Sequence, residues 1–148
     1  MNQRPDIDNY ALAIAHVVKL RSEDPYLQVG AVAVNNEGRI VGTGYNGLKT
    51  GMTLPPEVWA DRDLRRRYII HAEINVCSLI RRGDATTLAI TSSPCESCAN
   101  AIVAAGFKRV IYTHAFRDDS GIKLLNFYGV DVVQYDYDFV KNLITAGL

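Results

Sequence analysis

His71-Ala72-Glu73 and, further along the chain, Pro94-Cys95-Glu96-Ser97-Cys98 supply one imidazole, two thiols and a spare carboxylate. His71, Cys95 and Cys98 are three borderline-soft donors suited to tetrahedral Zn²⁺, with the fourth position left to water. A structural zinc site wants four protein ligands, and neither His16 nor His114 stands at a spacing that nominates it as the fourth. Zinc lowers the pKa of a bound water from about 16 to roughly 7, and the hydroxide so formed can add to an aromatic carbon that carries an amine. Ammonia leaves such a carbon only when protonated, which calls for an acid that is not itself a ligand; Glu73 is in place for that role. A Cys-x-x-Cys pair alone reads equally well as a redox pair or as half a structural zinc site, and His71 with Glu73 sets those readings aside.

Composition bounds the setting of this chemistry. The chain has 148 residues with 48% hydrophobic content, enough for one domain spanning 1–148 and too short for two ordinary ones. Lys and Arg total 16 against 16 Asp and Glu, so no global charge draws the protein to nucleic acid or to an anionic membrane, and neither partner is expected. The start, MNQRPDIDNYALAIAHVV, lacks a basic segment followed by an apolar one, and no apolar run approaches membrane-spanning length. Three cysteines are too few for a disulfide framework, and free thiols suit a reducing compartment, so a cytoplasmic location is expected.

The elements that must position the motifs follow from periodicity. From Asp6 to about Glu23, Ile7, Tyr10, Ile14, Val17 and Val18 mark one helix face, with Asp6 or Asp8 as the cap and His16 as a satisfied core histidine. Val29–Val34 and Arg39–Tyr45 read as a hairpin around Asn35-Asn36-Glu37-Gly38, whose glycine supplies φ > 0. Residues 47–67 form an excursion with a short helix at Glu57–Arg66, packed through Leu54, Val58 and Trp59 or by a neighbouring subunit. Helix and strand then alternate: helix His71–Arg82, strand Leu88–Thr91, helix Cys95–Ala105, strand Arg109–Thr113, helix Gly121–Tyr128, strand Val130–Gln134, and a last helix from Asp136 to Leu148. Such alternation implies crossover units, hence a three-layer α/β/α sandwich on a five-stranded mixed sheet.

Both motifs fall where a helix begins. His71, Glu73, Cys95 and Cys98 are then in first turns, where free N–H groups and the positive dipole end favour thiolates and other anionic ligands. Three-residue spacing sets both sulfurs on one helix face, and Pro94 suits the position just before it. Cys77, six positions after His71, reads as a buried apolar residue. Gly30 and Gly44 are sites of close backbone approach or of a bulge.

Beyond the two motifs, Arg21-Ser22-Glu23-Asp24-Pro25, Gln28-Val29-Gly30-Ala31-Val32, Gly44-Tyr45-Asn46-Gly47 and Tyr68-Ile69-Ile70-His71-Ala72-Glu73-Ile74-Asn75 resemble the deoxycytidylate deaminases of the cytidine deaminase-like superfamily. The resemblance covers most of the chain. It implies conversion of dCMP to dUMP with one catalytic Zn²⁺ per chain, in a homo-oligomer that is often a hexamer. It implies that Asn46 binds the sugar 3′-hydroxyl, that the Ala72 N–H binds the pyrimidine carbonyl, that the Ser93 carbonyl receives the leaving amine, and that Phe116 stacks on the base where relatives often have tyrosine. Ser22 and Tyr68 join the substrate-binding set. Asn46 also reads as a turn former and Phe116 as a core aromatic. Arg21, Ser22, Lys49, Arg65, Arg66 and Arg67 are candidates for the substrate phosphate.

The resemblance further implies activation by dCTP and inhibition by dTTP, with Mg²⁺ accompanying the bound triphosphate. Tyr45, Asn46, Gly47, Lys49 and Gly51 would form that effector site, together with Arg82, which also reads as a basic helix end. One departure is plain: positions 47–70 contain no Cys or His, so the second, structural zinc of several relatives is not expected. Cytidine deaminases, tRNA adenosine deaminases and the deaminases of riboflavin synthesis share the two motifs, and a catalytically silent zinc-binding nucleotide sensor is the alternative from another class.

Overall fold

The computed structural model describes residues 4–148, and its sheet is organised around Gly30–Val34 (β1), a strand buried at every position. Its small and β-branched side chains let helices approach both faces. It pairs antiparallel with Ile40–Tyr45 (β2) on one side and with Thr87–Ser92 (β3) on the other. Arg109–His114 (β4) and Asp131–Gln134 (β5) continue parallel to β3, which gives the expected five-stranded mixed sheet in the order β2-β1-β3-β4-β5. The β1–β2 turn closes with Asn35 N–H donating to the Arg39 carbonyl and with Gly38 at φ 77°, as its sequence requires.

Alternation along the strands divides the core in two. Ala31, Ala33, Leu88, Ile90 and Val110 form one apolar layer with Val76, Ala99, Ile102 and Leu125 from Ala72–Cys77 (α4), Glu96–Ala104 (α5) and Ser120–Phe127 (α6). Val32, Val34, Ala89 and Ile111 form the other with Leu12 and Ala15 of Ile7–Val18 (α1) and Val140 of Tyr137–Ala146 (α7). Each fully buried Leu, Ile or Val contributes about 1.5–3 kcal/mol, so the three layers are fixed by the pleat itself. Among the described residues no helix is long and apolar enough to cross a membrane.

Several expectations are corrected. The first helix is shorter than its apolar pattern: α1 stops at Val18, and a 3₁₀ turn, Lys19–Arg21, follows. Asp6 is its cap, accepting from Asn9 N–H at 2.7 Å; Asp8 instead binds Arg109 on β4 at 2.6 and 3.0 Å and accepts from the Tyr135 hydroxyl. The excursion contains two helices, Pro56–Ala60 (α2) and Arg62–Tyr68 (α3), because Asp61 breaks the run and its carboxylate caps α3 through Asp63 and Leu64 N–H. Leu54, Val58 and Trp59 are only half-buried, and the segment is pinned by polar contacts instead. Buried Arg65 lies 3.8 Å from Asp24, donates to the Trp59 carbonyl at 3.2 Å and stacks 4.1 Å over Tyr26, while Gly47 and Ile70 exchange two backbone hydrogen bonds.

Helix α4 ends at Cys77, so Arg82 lies beyond it, in the turn leading to β3. Cys77 is half-buried at the edge of the core, not enclosed by it. His16 is buried but only half satisfied: Nε2 meets Thr113 Oγ1 at 2.8 Å, whereas Nδ1 has no partner among the described residues. Gly30 and Gly44 are close-approach positions. A Cβ at Gly30 would lie 2.1 Å from the Ala15 carbonyl oxygen, and one at Gly44 would lie 2.8 Å from the Ala72 carbonyl oxygen. The bulge in this hairpin falls elsewhere, between Ala33 and Val34.

Candidate metal centre and active site

His71 is the N-cap of α4 and Cys95 the N-cap of α5, so the donors sit at two adjacent helix starts. The helix whose first turn holds Glu73 approaches the sheet through Gly44, and Asn75 Nδ2 ties it to the Tyr45 carbonyl at 2.8 Å. The other start is set from below by Gly121 in α6: a Cβ there would lie 2.1 Å from the Pro94 carbonyl oxygen and 2.8 Å from that of Cys95. No side chain other than hydrogen fits between α6 and the Pro94-Cys95 backbone.

His71 Nδ1, Cys95 Sγ and Cys98 Sγ all lie within 4.8 Å of one another. The His71–Cys98 and His71–Cys95 separations are 3.1 and 3.6 Å. A tetrahedral ion with Zn–S of about 2.3 Å and Zn–N of about 2.0 Å sets such an edge at roughly 3.6 Å, so the donor set fits zinc in both chemistry and span. The cysteines divide one proton between them. Cys95 is held as thiolate, pulled down to about 3 by the hydrogen bond from Cys98 and by His71, while that same hydrogen bond and burial push Cys98 up. The hydrogen bond with Cys95 also raises His71, so a metal ion entering the trio displaces protons from it.

Glu73 lies outside this donor cluster and is 4% exposed. Burial holds its carboxyl above the ordinary glutamate range, as a proton-carrying group requires. It faces a cavity of about 320 Å³ lined also by His71, Ala72, Ser93, Cys95, Asn46 and Phe116, six residues that the sequence nominated. Phe116 is 40% exposed, which removes the core-aromatic reading, and its N–H donates to Ser93 Oγ at 2.6 Å.

Asn46 is committed to the loop that carries it. Its Oδ1 accepts from Val29 N–H at 2.8 Å, and its Nδ2 donates to the Leu27 carbonyl at 2.8 Å. Ser22 does not line the cavity; its hydroxyl donates to the Asn46 carbonyl at 2.7 Å and so supports Asn46 from behind. Tyr68 is exposed at the end of α3, outside the lining. Of the cationic candidates, Arg65 and Arg66 line the cavity, while Arg21, Lys49 and Arg67 do not. Arg62 lines it and was missed, although helical spacing from Arg65 and Arg66 signals it. Of the residues nominated for an effector, Tyr45 lies under Arg21, 5.9 Å from its ring centroid, and Gly47 sits against the Glu23 carboxylate; Lys49 and Gly51 belong to the loop beyond. Arg82 Nε donates to the Ala104 carbonyl at 3.1 Å.

A three-layer sandwich has two helix starts converging on a His/Cys/Cys cluster that could hold a metal ion, with a buried acid beside it. Residues 5–114 match the model of the cytidine and deoxycytidylate deaminase zinc-binding region, and the chain belongs to that family. It is 38% identical over 110 residues to the deoxycytidylate deaminase of Mus musculus, across 70% of this chain and 62% of that protein's length. It is 37% identical over 123 residues to the deoxycytidylate deaminase of Mycobacterium phage D29, across 74% of this chain and 95% of the phage protein. Among solved structures, the dCMP deaminase of cyanophage S-TIM5 in complex with dCMP and dUMP superposes with a TM-score of 0.75 at 27% identity, over 90% of this chain and all of that one.

Proposed function

We propose that this protein deaminates dCMP hydrolytically, consuming water and releasing dUMP and ammonia. The observation that carries the reading is buried Glu73 beside a three-donor zinc cluster, at the floor of a cavity large enough for a pyrimidine nucleotide. His71, Cys95 and Cys98 would hold the zinc, which would supply Lewis acidity toward water. Glu73 would take a proton from the attacking water, pass it to the pyrimidine ring nitrogen and then serve the departing amine. The Ala72 N–H, in the first turn of α4 where helix amides lack intrahelical partners, donates to the pyrimidine carbonyl. The Ser93 carbonyl accepts from the amine, and Phe116 covers the ring. Asn46 Oδ1 keeps one lone pair beyond its bond from Val29 for the sugar 3′-hydroxyl.

The family resemblance supports extending the proposal to a cytoplasmic homo-oligomer regulated by dCTP and dTTP with Mg²⁺, through the segment around Tyr45, Gly47, Lys49 and Gly51 and through Arg82. Ammonia release from dCMP, dCTP, deoxycytidine, cytidine and guanine tests the substrate. Release from dCMP well above the others is expected, and release from any other substrate with none from dCMP refutes it. Glu73→Gln should keep its zinc and lose about 10²–10⁴ in kcat; near-normal turnover in the zinc-replete variant would remove Glu73 from the mechanism.

A further inference from the structure

Arg65 reaches the lining of the cavity, yet it is only 9% exposed and its guanidinium is spent on the protein. Nε faces the Asp24 carboxylate at 3.8 Å, Nη1 donates to the Trp59 carbonyl at 3.2 Å, and Cζ lies 4.1 Å from the centroid of the Tyr26 ring. Edge and face are both occupied, an arrangement that a planar guanidinium allows and an ammonium does not. Tyr26 precedes β1 and Trp59 belongs to α2, so one side chain of α3 gathers three segments of the chain.

Its acidic partner begins a relay toward Asn46. Asp24 is 8% exposed, a buried carboxylate whose charge Arg65 balances. Its Oδ1 accepts from Tyr26 N–H at 2.8 Å and from Leu27 N–H at 3.2 Å, which closes residues 24–27 into a turn held by its own side chain. The Leu27 carbonyl at the end of that turn accepts from Asn46 Nδ2 at 2.8 Å, and Asp24 Oδ2 lies 3.5 Å from the same nitrogen. Ser22 holds only the Asn46 backbone carbonyl, so the plane of the side-chain amide is set by the turn and by Val29 N–H, which donates to Oδ1. Asn46 lines the cavity, and its Oδ1 has one lone pair left. Rotating the amide by half a turn would offer a donor in place of that acceptor and would set Nδ2 against Val29 N–H; the Leu27 carbonyl, kept in place by Asp24, opposes the rotation.

We propose that Arg65 is a positioning residue for the sugar: through Asp24 and the 24–27 turn it fixes the Asn46 amide with its oxygen presented to the nucleotide 3′-hydroxyl. The proposal rests on the deaminase reading of the cavity, and it gives Arg65 no contact with the substrate. Helix α3 then acts on the ligand at second hand, by deciding which atom of Asn46 the sugar meets.

The test compares, by calorimetry on the zinc-loaded protein, the dissociation constants of dUMP and of 2′,3′-dideoxyuridine 5′-monophosphate, which lacks only the 3′-hydroxyl. One hydrogen bond is worth up to about 10-fold in affinity, so the wild type should favour dUMP by about that factor. Arg65→Gln should bring the ratio to about 1 by weakening dUMP alone, with zinc and the dideoxy analogue bound as in the wild type. Arg65→Lys, which restores the charge opposite Asp24, should recover part of the preference. A role confined to packing would weaken both nucleotides equally; an unchanged ratio in Arg65→Gln overturns the proposal, and so does a wild type without the preference. If Arg65→Gln loses its cooperative melt, Asp24→Asn gives the same test, because it keeps an acceptor for the turn but sets a new donor against Arg65 and Asn46 Nδ2, and a preserved ratio there is equally fatal. A preference that depends on Arg65 in a protein releasing no ammonia from dCMP would uphold the positioning role and refute the deaminase reading. Ammonia release from dCMP with a ratio indifferent to Arg65 would do the reverse.

Discussion

Gly121→Ala tests whether donor spacing at the metal site is imposed from outside the two motifs. The added Cβ would meet the Pro94 carbonyl oxygen at 2.1 Å, and since such contacts are not seen below 3.0 Å, at least 3.0 − 2.1 = 0.9 Å of movement is required. Both opposing atoms are backbone, so no flexible side chain can absorb it. Alanine in a helix is favoured over glycine by up to about 1 kcal/mol, while overpacking a rigid contact costs about 1–3 kcal/mol. The overlap outweighs the helix gain by up to about 2 kcal/mol, a fall in Tm of up to roughly 6 °C for a domain of this size. The larger effect falls on metal. Metal–ligand distances tolerate about 0.2 Å, so displacing the Cys95 N-cap several times that far should weaken zinc by about 10–100-fold. Competition with a chelating dye measures the affinity, Co²⁺ spectra report the thiolate geometry, and melts at fixed free zinc report stability. Wild-type zinc affinity together with an unchanged Tm in Gly121→Ala would refute the reasoning.

Two predictions concern acid stability. Burial holds His16 down to about 4 against about 6.5 in an unfolded chain, so its folded state is fully favoured above pH 6.5 and loses at most about 3 kcal/mol as pH falls toward 4. His16→Leu should flatten the urea-denaturation profile over that window, and a profile with undiminished slope would contradict the burial argument. Asp8 is held below the ordinary aspartate range by the Arg109 hydrogen bonds, so its contribution is present above that range and disappears as pH falls through the folded value. Arg109→Met should cost about 1–2 kcal/mol at pH 7 and less at pH 3, and an equal loss at both would show that the pair is not responsible.

The sheet and the zinc donors were legible because each is announced locally, by alternation in β1 and β3 or by motif spacing at the starts of α4 and α5. Helix ends were less so. Leu79 and Ile80 continue an apolar pattern past Cys77, yet Leu79 is 64% exposed and the chain has already turned toward β3. The arginine face of α3 was half legible: 62, 65 and 66 share a side that 67 does not, which helical spacing states and a run of charges conceals. Nothing in the sequence joins His16 to Thr113. Their juxtaposition exists only once α1 lies across the end of β4, and the partnerless Nδ1 of His16 likewise follows from that packing. Asn46 carried two readings in the sequence, ligand contact and turn former, and the hydrogen bonds of its amide to Val29 and Leu27 accord with the second.

His71 and Cys98 lie on either side of β3, the strand at the centre of the sheet order. An ion bridging them therefore closes a covalent-like ring of about 28 residues around that strand, which by chain entropy alone is comparable to a disulfide worth about 3–4 kcal/mol. Such an ion would in this sense also be a removable clasp. Metal supply would then set how readily the middle of the sheet opens, and the amide protons of β3 are where that opening would be recorded.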